Sequence, residues 1–584
     1  MTPRRVPPAG RAAGRAAPSS RRQPRRRGAH RHAILLAGLT LSIGVLICRL
    51  MFVQVLDGTK YASYATNETE QTVALPAARG AIYDRNGDLL AVSVARYDVV
   101  ADDFLVPNAA ATAGLLAPLL GESRDVLVAE LSEKNGYVIL AREVTGSVQS
   151  KVAALDLEGI SFQSDTQRVY PGGAIFQPLI GNVNAAGVGY SALEYDYDSD
   201  LGGKPGSEVV AVAPSGLQLP SGASDVVSPK PGTSLVLTLD LPLQVEVTKD
   251  VEAQMRATHS SSAMAVVENV HTGAILAMVD LVSGPKGSIV PADQNFIATS
   301  VLQPGSVMKL ATIAFSLQDG LIAPSTTFNV PYSIRVGGYT FQDADVHATE
   351  QLPVSQILAQ SSNVGTIEIS QKLGLTRLSQ AFNTLGFGHL SGLGWPAESA
   401  GFIGSPSSWY GSAAASVPIG TGVAVTPIQI LDAYNAVANG GVMVEPNLVE
   451  GTVVNGKETY TRPAPTHRVL DPSTVAELVP MLTGVVHDET GTALLASIKG
   501  YEVAGKTGTA QAPDGHGGYV PGDWNATFVG FAPANAPQLS ALVSFNHKGG
   551  VVYGGTEAAP VFAKFMQYAL SHFDIAPPKT STSR

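Results

Sequence analysis

Cysteine is almost absent: the 584-residue chain contains one, Cys48. One thiol cannot make a disulfide framework. Because Cys48 sits inside an apolar run, the rest of the chain has no cysteine nucleophile either. Negative charge is absent from residues 1–32, which carry ten arginines and neither Asp nor Glu. Charged residues are only 15% of the chain against 45% hydrophobic ones, a balance that supplies a sizeable core and is not that of a disordered chain. No internal repeat is visible, so the length points to several distinct domains rather than an array. The 60 glycines and 38 prolines predict long loops and many turns.

The net charge of −10 hides an asymmetry. With the N-terminal arginines set aside, 28 basic residues face 48 acidic ones, so the body carries about −20. A basic arm on an acidic body suits a nucleic-acid tail, but the next segment argues otherwise. Ala33 to Val53 reads AILLAGLTLSIGVLICRLMFV, 21 residues with one charge, Arg49. At 1.5 Å per residue it is roughly 30 Å long, enough to cross the hydrocarbon core of a bilayer. The arginines flank only its N-terminal side, which puts the tail in the cytoplasm and the acidic body outside. Arg49, near the outer end, can snorkel to the interface. A cleaved signal peptide is the rival. Its basic region would be unusually long, and no small-x-small site closely follows the run. The expectation is a single-pass anchor in the cytoplasmic membrane, N-terminus inside, with no nucleic-acid partner.

The expected organisation is a disordered Arg-rich tail (1–32), an anchor (33–53), a β-rich non-catalytic domain (54–230), a catalytic domain (231–575) and a short tail (576–584). Residues 54 to about 72 read as a linker or helix extending the anchor. Asn86-Gly87, between Ala81-Ile82-Tyr83 and Leu89-Leu90-Ala91, predicts a hairpin. Ser228-Pro229-Lys230-Pro231-Gly232 marks the boundary. Beyond it, strand patterns run over Leu235 to Leu239, Met264 to Val270 and Ala274 to Val279, the last two joined by a turn at His271-Thr272-Gly273. Helical patterns dominate from about Ser306 to Asn439. Strand patterns return at Tyr501 to Ala504, Thr527 to Phe531 and Leu539 to Phe545, and Pro560 to Phe573 reads as a closing helix. Strands at both ends with helices between predict an α+β domain, with an antiparallel sheet closed from both termini and helices packed on it.

Three short elements carry chemistry. The first is Pro304-Gly305-Ser306-Val307-Met308-Lys309. Pro-Gly breaks the chain ahead of a helical run, so Ser306 falls at a helix start and Lys309 three residues on shares its face. A serine hydroxyl needs a base, and a desolvated lysine can be one. About one Ser-x-x-Lys is expected by chance, and Ser283-Gly284-Pro285-Lys286 is such a decoy. Gly and Pro in its middle disfavour a helical turn.

The second element is Ser361-Ser362-Asn363 before a helical run. Ser361 can relay a proton and Asn363 can bond a substrate amide, although Ser and Asn are also ordinary helix caps. Ser544-Phe545-Asn546 repeats the pattern inside a strand. The third is Gly505-Lys506-Thr507-Gly508-Thr509-Ala510. Lys506 can bind a carboxylate, and the flanking glycines let a ligand backbone approach the strand edge. Gly500 to Thr507 also formally matches a phosphate loop. Its middle reads as strand, however, and no helix follows it.

In the order Ser-x-x-Lys, Ser-x-Asn, Lys-Thr-Gly, these elements form the signature of penicillin-binding proteins and class A β-lactamases. The chain resembles the class B penicillin-binding proteins from roughly Arg49 to Phe573. The resemblance includes Arg79-Gly80-Ala81-Ile82-Tyr83-Asp84-Arg85-Asn86-Gly87, Arg168-Val169-Tyr170-Pro171, Leu193-Glu194-Tyr195-Asp196-Tyr197, Leu237-Thr238-Leu239-Asp240 and Gly420 to Gln429. Val503 to Gln511 is near identical to the family pattern. The chain departs from the family at Thr421, usually Gln, and at Ala192, often Gly. No glycosyltransferase domain precedes the non-catalytic domain and no extra repeat module follows the last helix, so polymerase activity is not expected.

What the resemblance implies is a transmembrane helix, a pedestal or dimerisation domain, and a penicillin-binding domain with a five-stranded antiparallel sheet. The implied activity is D,D-transpeptidation of cell-wall stem peptides ending in D-Ala-D-Ala, through an acyl-enzyme on Ser306. Lys309 is the implied base, and Ser361 and Lys506 shuttle protons and hold the terminal carboxylate. Asn363, Thr507, Gly508 and Thr509 bind substrate, and the N–H groups of Ser306 and Thr509 form the oxyanion hole. β-Lactams acylate Ser306, and no metal or organic cofactor is implied. The single anchor, the length and the Arg-rich tail resemble the septal division type, with a SEDS-type polymerase and divisome proteins as partners. An elongation-type enzyme is the alternative. A serine β-lactamase and a non-enzymatic β-lactam sensor or division scaffold are the further rivals, and turnover of stem peptides discriminates them.

Overall fold

A computed structural model describes residues 27–56, 60, 70–211, 225–460, 463–513 and 519–577. The chain divides into two compact units, residues 1–73 with 209–224, and residues 74–208 with 225–584.

Among the described residues, the first unit holds one long helix, Arg27–Met51, continued by a short π-helical turn, Phe52–Leu56. Residues 32–54 are long and apolar enough to cross a membrane, with an 18-residue window of mean hydropathy 2.2, and their large apolar side chains face outward. The helix starts at Arg27, six residues before the expected anchor. Residues 1–26 and most of the expected linker lie outside the described residues.

The second unit opens on the predicted hairpin: Ile82–Tyr83 pairs antiparallel with Leu89–Ala101 across Asn86-Gly87. The long strand then pairs with Val138–Val144 and Ile160–Val169. This region is not purely β. Helices Ala109–Leu120, Arg124–Glu130 and Gly146–Ala153 cover the strands, burying Leu116, Leu127 and Val152 against Val99 and Leu140. Ala-rich stretches such as Ala109 to Leu120 are apolar all round, so their helical period is weak in the sequence.

The three family-like motifs of this region meet at one buried carboxylate. Glu194, fully buried, accepts from Arg79 Nε at 2.6 Å and from Arg168 Nε at 2.8 Å, and Asp198 takes Arg79 Nη1 at 2.6 Å. Beside this cluster Ala192 has φ +49°, the left-handed region that a Cβ disfavours. The Gly common in the family there has a physical reason. Ala192→Gly is expected to raise unfolding stability by up to about 1 kcal/mol in a denaturant titration.

The expected boundary at residue 230 is crossed by a sheet. Ser234–Leu237 pairs parallel with Ile82–Tyr83 on one side and antiparallel with Val449–Val454 on the other. The central sheet of the C-terminal region runs in the order Ile289–Pro291, Ile275–Ser283, Ser262–Asn269, Leu539–Lys548, Tyr519–Ala532, Ala504–Pro513, all antiparallel. Five are the expected strands, and the short Ile289–Pro291 adds a sixth at the edge. Strands from both ends of the domain meet where Ser262–Asn269 pairs with Leu539–Lys548.

Three expectations shift. The strand read at Tyr501 to Ala504 lies at Ala504–Pro513, so the Lys-Thr-Gly element is inside the edge strand rather than after it. The terminal helix is Gly554–His572 and accommodates Pro560 instead of starting there. The helical stretch from Ser306 to Asn439 is broken by two antiparallel pairs, Thr327–Val330 with Glu350–Pro353 and Ser333–Val336 with Tyr339–Gln342. The second pair turns at Gly337-Gly338, both at positive φ.

Alternate residues of a strand face opposite ways. Phe528 meets Phe562 of the terminal helix, ring centroids 4.7 Å apart. Its neighbour Thr527 stands opposite Gly508 on the edge strand, and Gly508 abuts Pro304 and Val307. The sheet is therefore packed by the terminal helix on one face and by the Ser306 turn on the other.

Candidate active site

Ser306 lies in a 3-10 turn, Gly305–Met308, that runs directly into the helix Lys309–Gln318. The turn is fixed from three sides. Tyr434 Oη, on the buried helix Pro427–Ala438, donates to Val307 O at 2.9 Å. Gly305 N donates to Gly420 O at 3.0 Å. The edge strand presses on it at Gly508, where a Cβ would sit 2.8 Å from Pro304 O. At Gly420, φ +81°, a Cβ would fall 2.0 Å from Gly305 O. Glycine in these two motifs is thus demanded by close backbone approach.

Ser306 is half-buried, and Lys309, first residue of the helix, is fully buried. The Lys309 ammonium donates to Ser361 O at 2.5 Å, Asn363 Oδ1 at 2.8 Å and Ser361 Oγ at 3.3 Å. The first two sequence elements therefore converge on one nitrogen. Ser361 is held at φ +62°, a strained position for a non-glycine residue and one common at functional sites. The helix-cap role expected of this element belongs to Ser362, whose Oγ accepts from Gly365 N at 2.9 Å. That leaves Ser361 and Asn363 free to face Lys309.

Lys506 is also fully buried, its Nζ reaching Thr507 O at 3.4 Å and Thr507 Oγ1 at 3.3 Å. Thr507 Oγ1 in turn pairs with Thr492 Oγ1 at 2.8 Å. Thr509, half-buried, accepts from Gly554 N at 3.4 Å. The edge position of Ala504–Pro513 leaves one row of its backbone groups for an added strand.

Burial drives the electrostatics. It pulls the Lys309 ammonium down to about 7, against an opposing attraction from Asp343. It pulls Lys506 well below the usual lysine range, and the neighbouring Lys309 charge pushes it further. Two buried lysines that disfavour each other's protonation give one readily neutral amine.

Asp343 is the residue that motif reading missed. Its Oδ1 accepts from Asn363 N and from Val364 N at 3.0 Å, capping the helix Asn363–Leu373 with negative charge. Its Oδ2 accepts from Ser362 Oγ at 2.8 Å and from His347 at 3.2 Å. It follows a hairpin some twenty residues before the helix it caps, so no local spacing marks it. Thr492, on a loop, carries no signal either.

The decoys separate cleanly. Ser283 ends a strand, its Oγ donating to Ser260 O at 2.9 Å, and Lys286 is exposed at φ +57°. Ser544 pairs with Thr527 inside the sheet at 2.8 Å, and Asn546 bonds Asn525 at 3.0 Å. Gly505-Lys506-Thr507 is strand with no helix after it, so the phosphate-loop geometry does not form. Among the described residues no group of three or more His, Cys, Asp or Glu is placed to hold a metal.

Residues 263–567 match the family model of the penicillin binding protein transpeptidase domain, and residues 74–237 that of the penicillin-binding protein dimerisation domain. Penicillin-binding protein PbpB of Mycobacterium tuberculosis is 30% identical over 566 residues, 91% of this chain and 83% of the relative. Peptidoglycan D,D-transpeptidase FtsI of Escherichia coli is 28% identical over 565 residues, 94% of this chain and 93% of the relative. Among solved structures, penicillin binding protein 3 from M. tuberculosis, complexed with aztreonam, superposes with a TM-score of 0.67. It is 27% identical and is covered over 99% of its length by 86% of this chain.

Proposed function

Because the chain belongs to the class B penicillin-binding proteins, enzymes of peptidoglycan D,D-transpeptidation, we propose that Ser306 is the nucleophile of this one and Lys309 its base. The observation that carries the reading is the Lys309 ammonium, fully buried, shared by Ser361 and Asn363 and placed one helical turn from Ser306. Neutral Lys309 takes the Ser306 proton as Oγ attacks the carbonyl of the penultimate D-Ala. The oxyanion forms against the N–H groups of Ser306 and Thr509, donors typically worth about 3 kcal/mol each in acyl transfer. Ser361 passes a proton to the departing D-Ala amine. An amine of a neighbouring strand then attacks the ester, forms the crosslink and returns Ser306.

Lys506, with Thr507 and Thr509, receives the substrate's terminal carboxylate, and Asn363 the amide before the scissile bond. The substrate lies along the edge strand at Gly508. A carboxylate arriving at Lys506 favours its charged form, and that charge disfavours protonation of Lys309. Substrate binding thereby primes the base. β-Lactams enter as acylating mimics of D-Ala-D-Ala. The relative complexed with aztreonam supports this.

The test is crosslinking with purified full-length protein and glycan strands bearing stem peptides. Release of D-Ala with formation of crosslinked dimer supports the reading, whereas acylation without turnover identifies a sensor. Asp343→Asn supplies an internal check. Removing the anion that favours the Lys309 ammonium moves the low-pH limb of the acylation rate to lower pH. A purely structural cap would scale the profile without moving it.

The cellular assignment follows the anchor. The helix Arg27–Met51, preceded by arginines, supports a cytoplasmic N-terminus and an extracytoplasmic catalytic domain. We place the enzyme at the division septum with a SEDS-type polymerase and divisome partners. Depletion is expected to give filamentous cells, whereas swollen or rounded cells identify the elongation alternative.

A further inference from the structure

The helix Pro427–Ala438 serves more than the nucleophile turn. Tyr434 holds that turn, but Asp432, roughly 200° away around the helix, lines a cavity of about 230 Å³ that none of the active-site residues touches. Asp432 is 5% exposed, and its Oδ1 has no hydrogen-bond partner among the described residues. A buried acid without a donor is costly and calls for an explanation.

The charged groups that act on it are acids. Behind it, fully buried Glu268 has one oxygen on Asn435 Nδ2 at 2.9 Å and the other unpartnered. Asn435 is occupied at its other end by Ser540, 2.8 Å away. Glu398 stands close enough to repel Asp432. Glu445, also on the cavity wall, lies against Gly392, where a Cβ would come within 3.0 Å of its Oε2. One amide on the cavity wall is taken. Gln429 Nε2 donates to His389 O at 2.5 Å and Ala400 O at 2.9 Å. No lysine or arginine lines the cavity, and the two histidines that do, His389 and His467, are exposed.

The arrangement suits a cation. A metal ion wants several converging oxygen or nitrogen ligands, and among the described residues no group of three or more such side chains is so placed. An ammonium or guanidinium needs only one or two carboxylates. We propose that this cavity binds a small organic cation, a primary ammonium or guanidinium compound, with Asp432 as its ion-pair partner and Glu445 as the second carboxylate.

Burial, reinforced by Glu268 and Glu398, raises the Asp432 carboxyl well above the usual range and favours its protonated form. An entering cation ionises it. Binding is therefore expected to release a proton and to tighten as pH rises.

The experiment is calorimetric titration of the full chain in detergent with cadaverine, with agmatine and, separately, with Mg²⁺. The amines are expected to bind with a heat that depends on the buffer's ionisation enthalpy. Asp432→Asn is expected to weaken them about tenfold or more, while its labelling by fluorescent penicillin stays at the wild-type level. Glu445→Gln, on the cavity wall, is expected to weaken them less, and it serves as the test variant if Asp432→Asn does not fold. Absence of amine binding, equal amine affinity in wild type and variants, or preference for Mg²⁺ overturns the proposal.

Discussion

Ser306→Ala is expected to lose covalent labelling by fluorescent penicillin, and Ser283→Ala is expected to label as wild type does. Both serines begin a Ser-x-x-Lys match, and the structure gives opposite reasons for their fates. Ser306 opens a helix whose first residue is a buried lysine, while Ser283 closes a strand beside an exposed one. Loss of the nucleophile in serine acyl enzymes costs roughly 10⁶ in turnover, so a gel band should vanish rather than fade. Labelling that survives Ser306→Ala and disappears in Ser283→Ala would overturn the assignment.

Lys309→Met is expected to slow acylation by roughly 10³, within the range that general-base catalysis supplies. The wild-type acylation rate should rise with pH through about 7, where the buried ammonium gives up its proton, and the variant should lack that limb. Stopped-flow acylation by a chromogenic β-lactam at several pH values reads both. Stability provides an independent signature. Lys309 is depressed in the folded state and titrates near the ordinary lysine value when unfolded. Between about 7 and that value the unfolded chain binds the extra proton, so the contribution of Lys309 to stability improves as pH rises. The melting temperature of wild type relative to Lys309→Met should therefore climb across that window. A flat difference would mean that the lysine is charged in the folded protein.

The candidate site was legible because its residues belong to short local patterns in a characteristic order. Ser306, Ser361, Asn363 and Lys506 could each be found by spacing, and the structure brings them to one place. Lys309 Nζ is the joint between the first two elements, and Gly508 ties the third to the Ser306 turn. What spacing could not reveal is work done across distance. Asp343 acts on a helix that begins twenty residues later, and Thr492 pairs with Thr507 from a loop without periodicity. The covering helices near Leu116 were missed because an all-apolar helix shows no stripe. The sheet's outline was readable from β-type runs, but its edge was not. Gly505 and Gly508 weaken strand propensity where Phe528 and the Ser306 turn crowd the backbone and require them.

The pairing of Ser262–Asn269 with Leu539–Lys548 has a consequence for how the protein is made. A ribosome delivers the first of these strands long before the second, and nearly the whole catalytic domain lies between them. Until the late strands emerge, Ser262–Asn269 has an unpaired edge and the Ser306 turn has no Gly508 beneath it. Non-local strand pairing of this kind folds late and exposes aggregation-prone edges meanwhile. On the proposed assignment, a nascent chain that contains Ser306, Lys309 and Ser361 but not the late strands is expected to have no acylable site, so a drug that reacts only with the finished groove is expected to spare it.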